Sequence, residues 1–321
     1  MNFIFLMDPL QKVIMEKDTS FILMLGAYRR GHKVFYVGND GLTRRNGETL
    51  FHATPVIPQQ VKENPFIRHE EQVLTESEVD AVFIRTDPPF EYEYLMNTWT
   101  LDLLPKRIPV LNSPSGIRTT NEKIWATQFD GLVPRTLISR RIADLLKFLK
   151  DEHEVIAKPT YGFGGQSVFK IKTGDVNANV ILETLTDHGT KDIILQQYIA
   201  EAADGDKRIL LLNGDPLGAV LRVHSADDHR NNFFSGGVPK AAKITARDQE
   251  IIDVLRPHLR KLGLYFVGID VIGKYLIEVN VTSPTCLQEM NRLYDQTLEN
   301  TVIEFAEKLV EDRRANAKMS F

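Results

Sequence analysis

The sequence predicts an α/β protein that opens with a parallel sheet and continues with α+β segments. The strand Asn2–Met7, a helix ending at Gly31 and the strand His32–Val37 follow one another as a βαβ unit, which places both strands parallel in one sheet. Later in the chain, the turn signals Asn213-Gly214 and Gly273-Lys274 each lie between apolar runs and predict antiparallel hairpins. The chain is therefore expected to change from parallel to antiparallel organisation along its length.

Composition bounds the class of protein. The 321 residues are 43% hydrophobic and 26% charged, which suits two or three globular domains with a substantial core. The net charge of −4 gives no reason to expect nucleic acid or a membrane as partner, so an anionic ligand must meet local clusters of Lys and Arg. No window is apolar enough to span a bilayer, and the first apolar run stops at Asp8 without a basic region, as in a strand rather than a signal peptide. Cys286 is the only cysteine, so an intrachain disulfide is excluded and a reducing, cytoplasmic location is indicated. We interpret Cys286 itself as a small buried residue.

The first 120 residues contain one loop that is a candidate for ligand contact. The first helix is capped by Asp18 or Thr19. A later strand runs into Pro88-Pro89, which stop it and fix an extended loop at its carboxyl end, where ligands of parallel sheets collect. Arg85 and Asp87 in this loop are candidates for substrate contact, with a surface ion pair as the alternative. The other elements predicted here are the hairpin Leu42–Pro55, a surface excursion over 56–78, the strand Ala81–Arg85, the helix Tyr92–Leu104 and the strand Val110–Asn112.

A glycine-rich turn joins two strands in the middle of the chain. Gly162, Gly164 and Gly165 follow Lys158, but no helix follows them and no Gly-Lys-Ser/Thr ends the turn, so it is neither a Rossmann nor a Walker loop. What remains is a hairpin tip whose N–H groups can wrap a phosphate chain, with Lys158 directing a cation at the same phosphates. The elements predicted around it are the helix Asn121–Phe129, the strand Arg135–Ser139, the helix Arg141–Asp151 and the strands Val155–Lys158, Ser167–Ile171 and Ile193–Ile199.

Two further segments have the character of ligand-binding elements. Gln197, Tyr198 and Ile199 end a strand that can bond an adenine edge through its backbone, although a simple core strand is the alternative. Residues 223–237 show neither a helical nor a strand-like spacing of apolar residues and end in two glycines, which is typical of a lid. The helices predicted after it are Arg247–Leu262 and Asn300–Asp312.

The hairpin around Gly273-Lys274 carries a candidate magnesium site. Asp270 lies on its first strand, and Glu278 and Asn280 project from one face of the second. Carboxylate and amide oxygens suit Mg²⁺ and its phosphates, although polar residues of a half-exposed hairpin facing water are the alternative. A regular two-residue turn would pair Asp270 with Ile277 and turn it away from Glu278. A shared site therefore requires an odd-length turn or a β-bulge.

Together these residues resemble the ATP-grasp superfamily and, more narrowly, the bacterial glutathione synthetases, over nearly the whole chain. The resemblance implies an N-terminal parallel α/β domain (1–120), then an ATP-grasp module of two α+β subdomains, 121–200 with the glycine-rich lid hairpin and 201–321 with the magnesium and peptide site. The motifs that carry the resemblance are Met-Asp-Pro at 7–9, Lys-Asp-Thr-Ser-Phe at 17–21, Asp-Pro-Pro-Phe at 87–90, Asn-Glu-Lys at 121–123, Glu-Thr-Leu-Thr-Asp-His-Gly-Thr at 183–190, Asp-Gly-Asp-Lys-Arg at 204–208 and Val-Asn-Val-Thr-Ser-Pro-Thr-Cys at 279–286.

The resemblance implies an ATP-dependent carbon–nitrogen ligase that joins γ-glutamylcysteine and glycine to form glutathione through an acyl phosphate, releasing ADP and phosphate. It also implies two Mg²⁺ ions, a cytoplasmic location and a homo-oligomer, a tetramer in relatives. Lys123 and Lys158 would hold phosphates, Asp206 would lie by the nucleoside and Arg208 would face the transferred phosphoryl group. The other implied contacts are Asp270, Glu278 and Asn280 to magnesium, Arg85, Asp87, Arg222, Ser283 and Thr285 to the peptide, and Arg230 from the lid.

Two positions depart from the family pattern. Tyr161 stands where the family has an acidic residue, and the segment after Arg222 lacks the usual Arg-x-Pro opening of the lid. Two alternatives stay open: another ATP-grasp carboxylate–amine ligase, such as a dipeptide ligase, or a nucleotide-binding module without turnover.

Overall fold

The computed structural model describes residues 1–162, 164–223 and 238–319, and its first sheet has the parallel centre expected from the sequence. β1 pairs in parallel with β2 and β7, and β7 pairs in parallel with β8. The strands of this sheet are β1 (Asn2–Leu6), β2 (Lys33–Val37), β3 (Leu42–Arg45), β4 (Glu48–Pro58), β5 (Phe66–Arg68), β6 (Gln72–Thr75), β7 (Ala81–Ile84) and β8 (Val110–Leu111).

The prediction that residues 56–78 form an irregular surface segment is wrong, because β5 and β6 lie within this range and pair with β4. Phe66 and Leu74 are buried there and anchor these short strands to the core. The predicted cap of the first helix is confirmed, since Asp18 Oδ1 accepts a hydrogen bond of 2.9 Å from Phe21 N. The helices of this part are α1 (Thr19–Arg29), α2 (Tyr92–Asp102) and α3 (Pro114–Thr119).

The second sheet is antiparallel in the order β11-β10-β12-β9 and is covered by two helices. The prediction of a helix over Asn121–Phe129 is wrong, because this segment forms only a 3₁₀ turn, over Trp125–Gln128. The carbonyl of Glu122 accepts instead from Val279 N, 2.9 Å away in the next sheet. The elements are β9 (Thr136–Ser139), α4 (Ile142–Glu152), β10 (Glu154–Pro159), β11 (Phe169–Lys172), α5 (Ala178–Leu185) and β12 (Ile193–Gln197).

The third sheet is antiparallel in the order β15-β14-β13-β16-β17. Its first hairpin turns at Asn213 and Gly214, both at positive φ, as the sequence predicted. The expected lid and its Arg230 lie outside the described residues except for Val223, the last residue of β14. The elements are β13 (Asp206–Leu212), β14 (Asp215–Val223), β15 (Val238–Ala241), α6 (Ala246–Leu262), β16 (Phe266–Ile272), β17 (Tyr275–Asn280), α7 (Leu287–Tyr294) and α8 (Leu298–Met319).

The last hairpin contains the bulge that a shared metal site requires. Ile272 pairs with Tyr275 across a two-residue turn, but the register shifts between Asp270 and Val271. Ile277 is therefore an extra residue on β17, and Asp270 pairs with Glu278. The predicted bulge is confirmed, and it brings the two carboxylates to the same face.

The end of the chain closes the core of the first sheet. The apolar side chains of α8, including Val302, Ile303 and Ala306, pack in one cluster with Phe21 and Leu25 of α1. Among residues 1–162, 164–223 and 238–319, no helix combines the length and apolar character needed to cross a membrane.

Candidate active site

A cavity of about 290 Å³ lies between the second and third sheets and brings together residues that are far apart in the sequence. It is closed on one side by the glycine-rich turn and on another by the segment after β17. The expected site residues that line it are Asp87, Lys123, Lys158, Gly162, Gly164, Gly165, Gln197, Tyr198, Ile199, Asp206, Arg208, Arg222, Asp270, Glu278, Asn280, Ser283 and Thr285.

Lys158 presents a buried ammonium group to this cavity. Its Nζ donates a 3.1 Å hydrogen bond to Gln196 Oε1, and Gln196 Nε2 donates in turn to Thr136 Oγ1 at 2.9 Å. Burial lowers the pKa of Lys158 to about 8. Because the bonded acceptor is a neutral amide, the charge of Lys158 is available to an anion in the cavity.

Lys123 joins the glycine-rich turn to the acidic hairpin. Its Nζ donates to Gly162 O at 2.6 Å and lies 3.2 Å from Glu278 Oε1. A phosphate chain under the turn would therefore lie between two lysines, which is the arrangement expected for neutralising several negative charges.

The segment proposed to contact adenine begins at Gln197, the last residue of β12, and continues beyond the strand through Tyr198 and Ile199. Gln197 N donates to Arg135 O at 2.8 Å and Tyr198 N donates to Glu154 O at 3.0 Å, so both donors are used within the protein. An adenine edge at this segment would therefore rely on Ile199 and on backbone carbonyls. The ring of Tyr198 is held in place by Lys170 Nζ, 3.4 Å from the ring centroid.

Asp270 is the centre of a buried ion-pair network. Arg208 donates to both of its carboxylate oxygens through Nε and Nη2, the second bond at 2.8 Å, and Arg222 Nη2 lies 3.0 Å from Oδ2. Arg222 also donates its Nε to Asp206 Oδ1 at 2.8 Å. Burial alone would raise the pKa of Asp270, but the two guanidinium groups outweigh it and hold this pKa well below its usual range.

The donor set of the predicted metal site fits magnesium in chemical type. Asp270 and Glu278 offer carboxylate oxygens, and Asn280 lies beside them, with Nδ2 3.4 Å from Asp270 Oδ2. In the described part of the chain, His, Cys, Asp and Glu do not form a metal-holding group of three or more. Magnesium would therefore need the amide oxygen of Asn280 and a partial release of Asp270 from its arginines.

Glu122 is a site residue that the sequence analysis did not single out. Its Oε1 accepts from Val281 N at 2.8 Å, from Thr282 N at 3.0 Å and from Thr282 Oγ1 at 2.9 Å. Burial, together with the nearby charge of Glu278, raises the pKa of Glu122. Its position directly before Lys123, in the motif Asn-Glu-Lys, was the one signal in the sequence that could have indicated it. Its hydrogen-bond partners could not be predicted, because they lie far along the chain.

The loop after β7 reaches the cavity through Asp87 and not through Arg85. Ser283 Oγ donates to Asp87 Oδ1 at 2.5 Å, and burial raises the pKa of Asp87. Arg85 is buried and donates to Ser20 Oγ and Pro284 O, both at 3.0 Å. It lines a second cavity of about 720 Å³, which shares Asp87 and Pro88 with the first.

The chain has the ATP-grasp fold, as its match to an ATP-grasp domain model shows, and solved structures agree on the fold. The D-cycloserine synthetase DcsG superimposes with a TM-score of 0.65 at 15% identity, covering 97% of this chain and 99% of its own. A D-alanine–D-alanine ligase from Bacillus anthracis, complexed with ATP, gives 0.61 at 13% identity, covering 98% and 99%.

Two family models identify the particular family. The model of the prokaryotic glutathione synthetase N-terminal domain matches residues 1–118, and that of the prokaryotic glutathione synthetase ATP-grasp domain matches residues 122–295. The glutathione synthetase of Synechococcus elongatus is 41% identical over 97% of this chain and 99% of its own length. The glutathione synthetase of Pseudomonas aeruginosa is 38% identical over 93% and 95%. The chain belongs to the prokaryotic glutathione synthetase family.

Proposed function

We propose that the cavity between the second and third sheets is where this chain, an ATP-dependent ligase, forms glutathione from γ-glutamylcysteine and glycine. The observation that carries the assignment of the site is the convergence of Lys123, Lys158, Arg208 and Arg222 with the acidic hairpin. Cations that converge in one cavity suit phosphoryl transfer, in which positioning and charge neutralisation dominate catalysis.

In the proposed reaction, the cysteinyl carboxylate of γ-glutamylcysteine attacks the γ-phosphorus of ATP, and the bond to the bridging oxygen breaks to release ADP. The amine of glycine then attacks the acyl phosphate and loses a proton, and inorganic phosphate leaves. Lys123 and Lys158 hold the phosphates, Arg208 faces the transferred group and Asp206 lies beside the nucleoside. Asp270, Glu278 and Asn280 would hold magnesium, proposed as two ions, and the metal would supply charge neutralisation on the phosphates.

The peptide is proposed to bind at the segment after β17 and the loop after β7. Ser283 and Asp87 contact one another at the cavity wall, and Thr285 and Arg222 line the same cavity. Arg85 would act from the adjoining cavity, and Arg230 from the lid. We also propose the division into 1–120, 121–200 and 201–321, a cytoplasmic location and a homo-oligomer, tetrameric as in the resemblance.

The test is an assay of ADP release with magnesium, in which γ-glutamylcysteine and glycine are omitted in turn. We expect full turnover only with both, because the acyl phosphate needs an amine acceptor. Higher turnover with another dipeptide and amine would favour a different carboxylate–amine ligase. Nucleotide binding without any turnover would favour a regulatory module.

A further inference from the structure

Helix α2 carries an apolar stripe that is exposed on the surface, and its first residue, Tyr92, also lines the second cavity. Its members, Tyr92, Met96, Trp99 and Leu103, are 72%, 39%, 47% and 58% exposed. They are spaced by four, three and four residues, so they lie along one face of α2 and its C-cap. The opposite side of the helix is already packed, because Tyr94, Thr98 and Leu101 are buried.

Single exposed apolar residues are ordinary, but this stripe is a different case. It groups four large side chains on one face, and two of them are Tyr and Trp, the residues that dominate the energetics of protein interfaces. Within residues 1–162, 164–223 and 238–319, no side chain covers them to the point of burial. The stripe therefore has the character of an interface that is completed by another molecule.

The spacing indicates a helix as the occupant. Positions 92, 96, 99 and 103 follow the alternating four and three residues of a coiled-coil seam. The seam is complementary to a reversed copy of itself, since antiparallel pairing sets Tyr92 against Leu103 and Met96 against Trp99.

The charges at the helix ends favour the same arrangement. Glu91 and Glu93 are exposed at the start of α2, and Lys106 is exposed just after its end. Asp102, also near the end, is paired with Arg118. Antiparallel pairing brings the acidic start of one helix to the basic end of the other, whereas parallel pairing would oppose like charges.

We propose that α2 pairs antiparallel with α2 of a second copy of this chain and forms a twofold interface. This deepens the oligomeric part of the proposed function. The four side chains expose roughly 400–500 Å² per copy, given the usual areas of large side chains, against about 800 Å² per partner in a standard interface. Because the stripe alone is smaller than a standard interface, we expect the association to be reversible and to include surface next to α2.

The first test measures mass against concentration by sedimentation equilibrium. The wild-type chain is compared with M96E/W99E, whose substitutions are on exposed positions, and with V180E as the matched control. Val180 is 63% exposed on α5, outside the stripe. We expect the wild type and V180E to associate alike, and M96E/W99E to lose at least about tenfold in association constant.

A monomeric wild type at tens of micromolar, or unchanged association of M96E/W99E, would overturn the proposal. Thermal unfolding and ligase activity are measured on the same samples. These measurements distinguish a failure of the proposed interface from a failure of the proposed function. A folded, active M96E/W99E that associates at least about tenfold more weakly supports the interface, and an inactive wild type that still associates counts against the function alone.

The second test examines the orientation of the two helices by oxidative cross-linking. The native Cys286 is buried, so it does not compete. Single variants M96C and W99C are oxidised separately and as a mixture. We expect the disulfide-linked dimer mainly in the mixture, because Met96 of one copy faces Trp99 of the other. Equal cross-linking of M96C alone would overturn the antiparallel arrangement.

Discussion

At the scale of single residues, the charge balance around Asp270 decides what the site can do. Buried guanidinium groups need a partner: Arg208 pairs with Asp270, and Arg222 pairs with both Asp270 and Asp206. If Asp270 also serves magnesium, the arginines are released toward the phosphates when the metal nucleotide binds. Asp270 would then take part both in pairing with the arginines and in holding the metal.

Replacing Glu278 by Gln tests the proposed metal site. The substitution keeps the size of the side chain but removes the charge that lies 3.2 Å from Lys123 and opposite Asp270. We expect turnover to fall at least about a hundredfold, the scale of losing one important electrostatic contact, and the magnesium requirement to rise. ADP release against magnesium concentration measures both. Near-normal turnover would contradict the role of Glu278, and E304Q, which alters an exposed ion pair with Arg30, serves as the control.

At the scale of elements, the turn 121–123 holds the two sheets of the site together. Asn121 Nδ2 donates to Thr160 O at 3.3 Å, Lys123 reaches Gly162 O, and Glu122 holds the chain directly after Asn280. One turn therefore contacts both the glycine-rich turn and the acidic hairpin. It fixes their separation, and this separation sets the width of the cavity between them.

E122A should loosen this connection. It removes the acceptor of three hydrogen bonds, so we expect Asn280 to lose its fixed position, with turnover down about tenfold and weaker magnesium-dependent ADP binding by calorimetry. E122Q keeps an acceptor oxygen and should be affected less.

The control for E122A is E76A. Glu76 Oε1 also accepts from a backbone N–H, that of Thr49 at 2.8 Å, but far from the cavity. If E122A and E76A lowered thermal stability alike and left ADP binding unchanged, Glu122 would have only a structural role.

The hairpins of the third sheet could be predicted because their information is local. Side-chain alternation and the need to bring Asp270 to Glu278 predicted the bulge between β16 and β17, and Asn213-Gly214 identified the turn between β13 and β14. The helix expected over Asn121–Phe129 failed because Val279 N takes the carbonyl of Glu122, a contact between residues far apart. The pairing of Asp270 with Arg208 and Arg222 was beyond prediction for the same reason, since it depends on the order of strands in the sheet.

At the scale of the whole molecule, Glu307 of α8 links this helix to the connection between α1 and β2. Glu307 of α8 accepts from Arg30 Nε at 2.9 Å and Nη2 at 2.8 Å, and its Oε1 lies 2.6 Å from His32 Nε2. The hydrogen bonds from Arg30, helped by His32 and opposed by burial, lower the pKa of Glu307 to about 2.

This shift makes stability depend on pH in a defined window. A carboxyl whose pKa is depressed on folding stabilises the protein above its unfolded pKa of about 4.3, and the contribution is lost as pH falls toward about 2. We expect E307Q to lower the free energy of unfolding at pH 7 by on the order of 1 kcal/mol, as for partly exposed ion pairs. Urea unfolding at several pH values checks this. An equal difference from wild type at pH 7 and pH 3 would contradict it.

The packing of α8 on α1 also predicts that the first domain does not fold alone. Residues 19–27 of α1 are all buried, and the α8 side chains Val302, Ile303 and Ala306 belong to the same core cluster. We expect a fragment of residues 1–118 to lack a cooperative thermal transition because this apolar surface would be exposed. The same fragment joined by a Gly/Ser linker to residues 298–319 should regain the transition. Cooperative unfolding of the short fragment by circular dichroism would contradict the expectation.

The position of α8 late in the sequence has a consequence for biosynthesis. A ribosome adds roughly 5–20 residues per second, so the apolar face of α1 waits about 15–60 s for its partner. During that interval the nascent chain presents the surface that chaperones bind. A ribosome that stalls before residue 298 leaves a product with this face uncovered, open to proteolysis even where the glycine-rich turn and the acidic hairpin are complete. Synthesis of α8 is therefore needed before the apolar face of α1 can be covered.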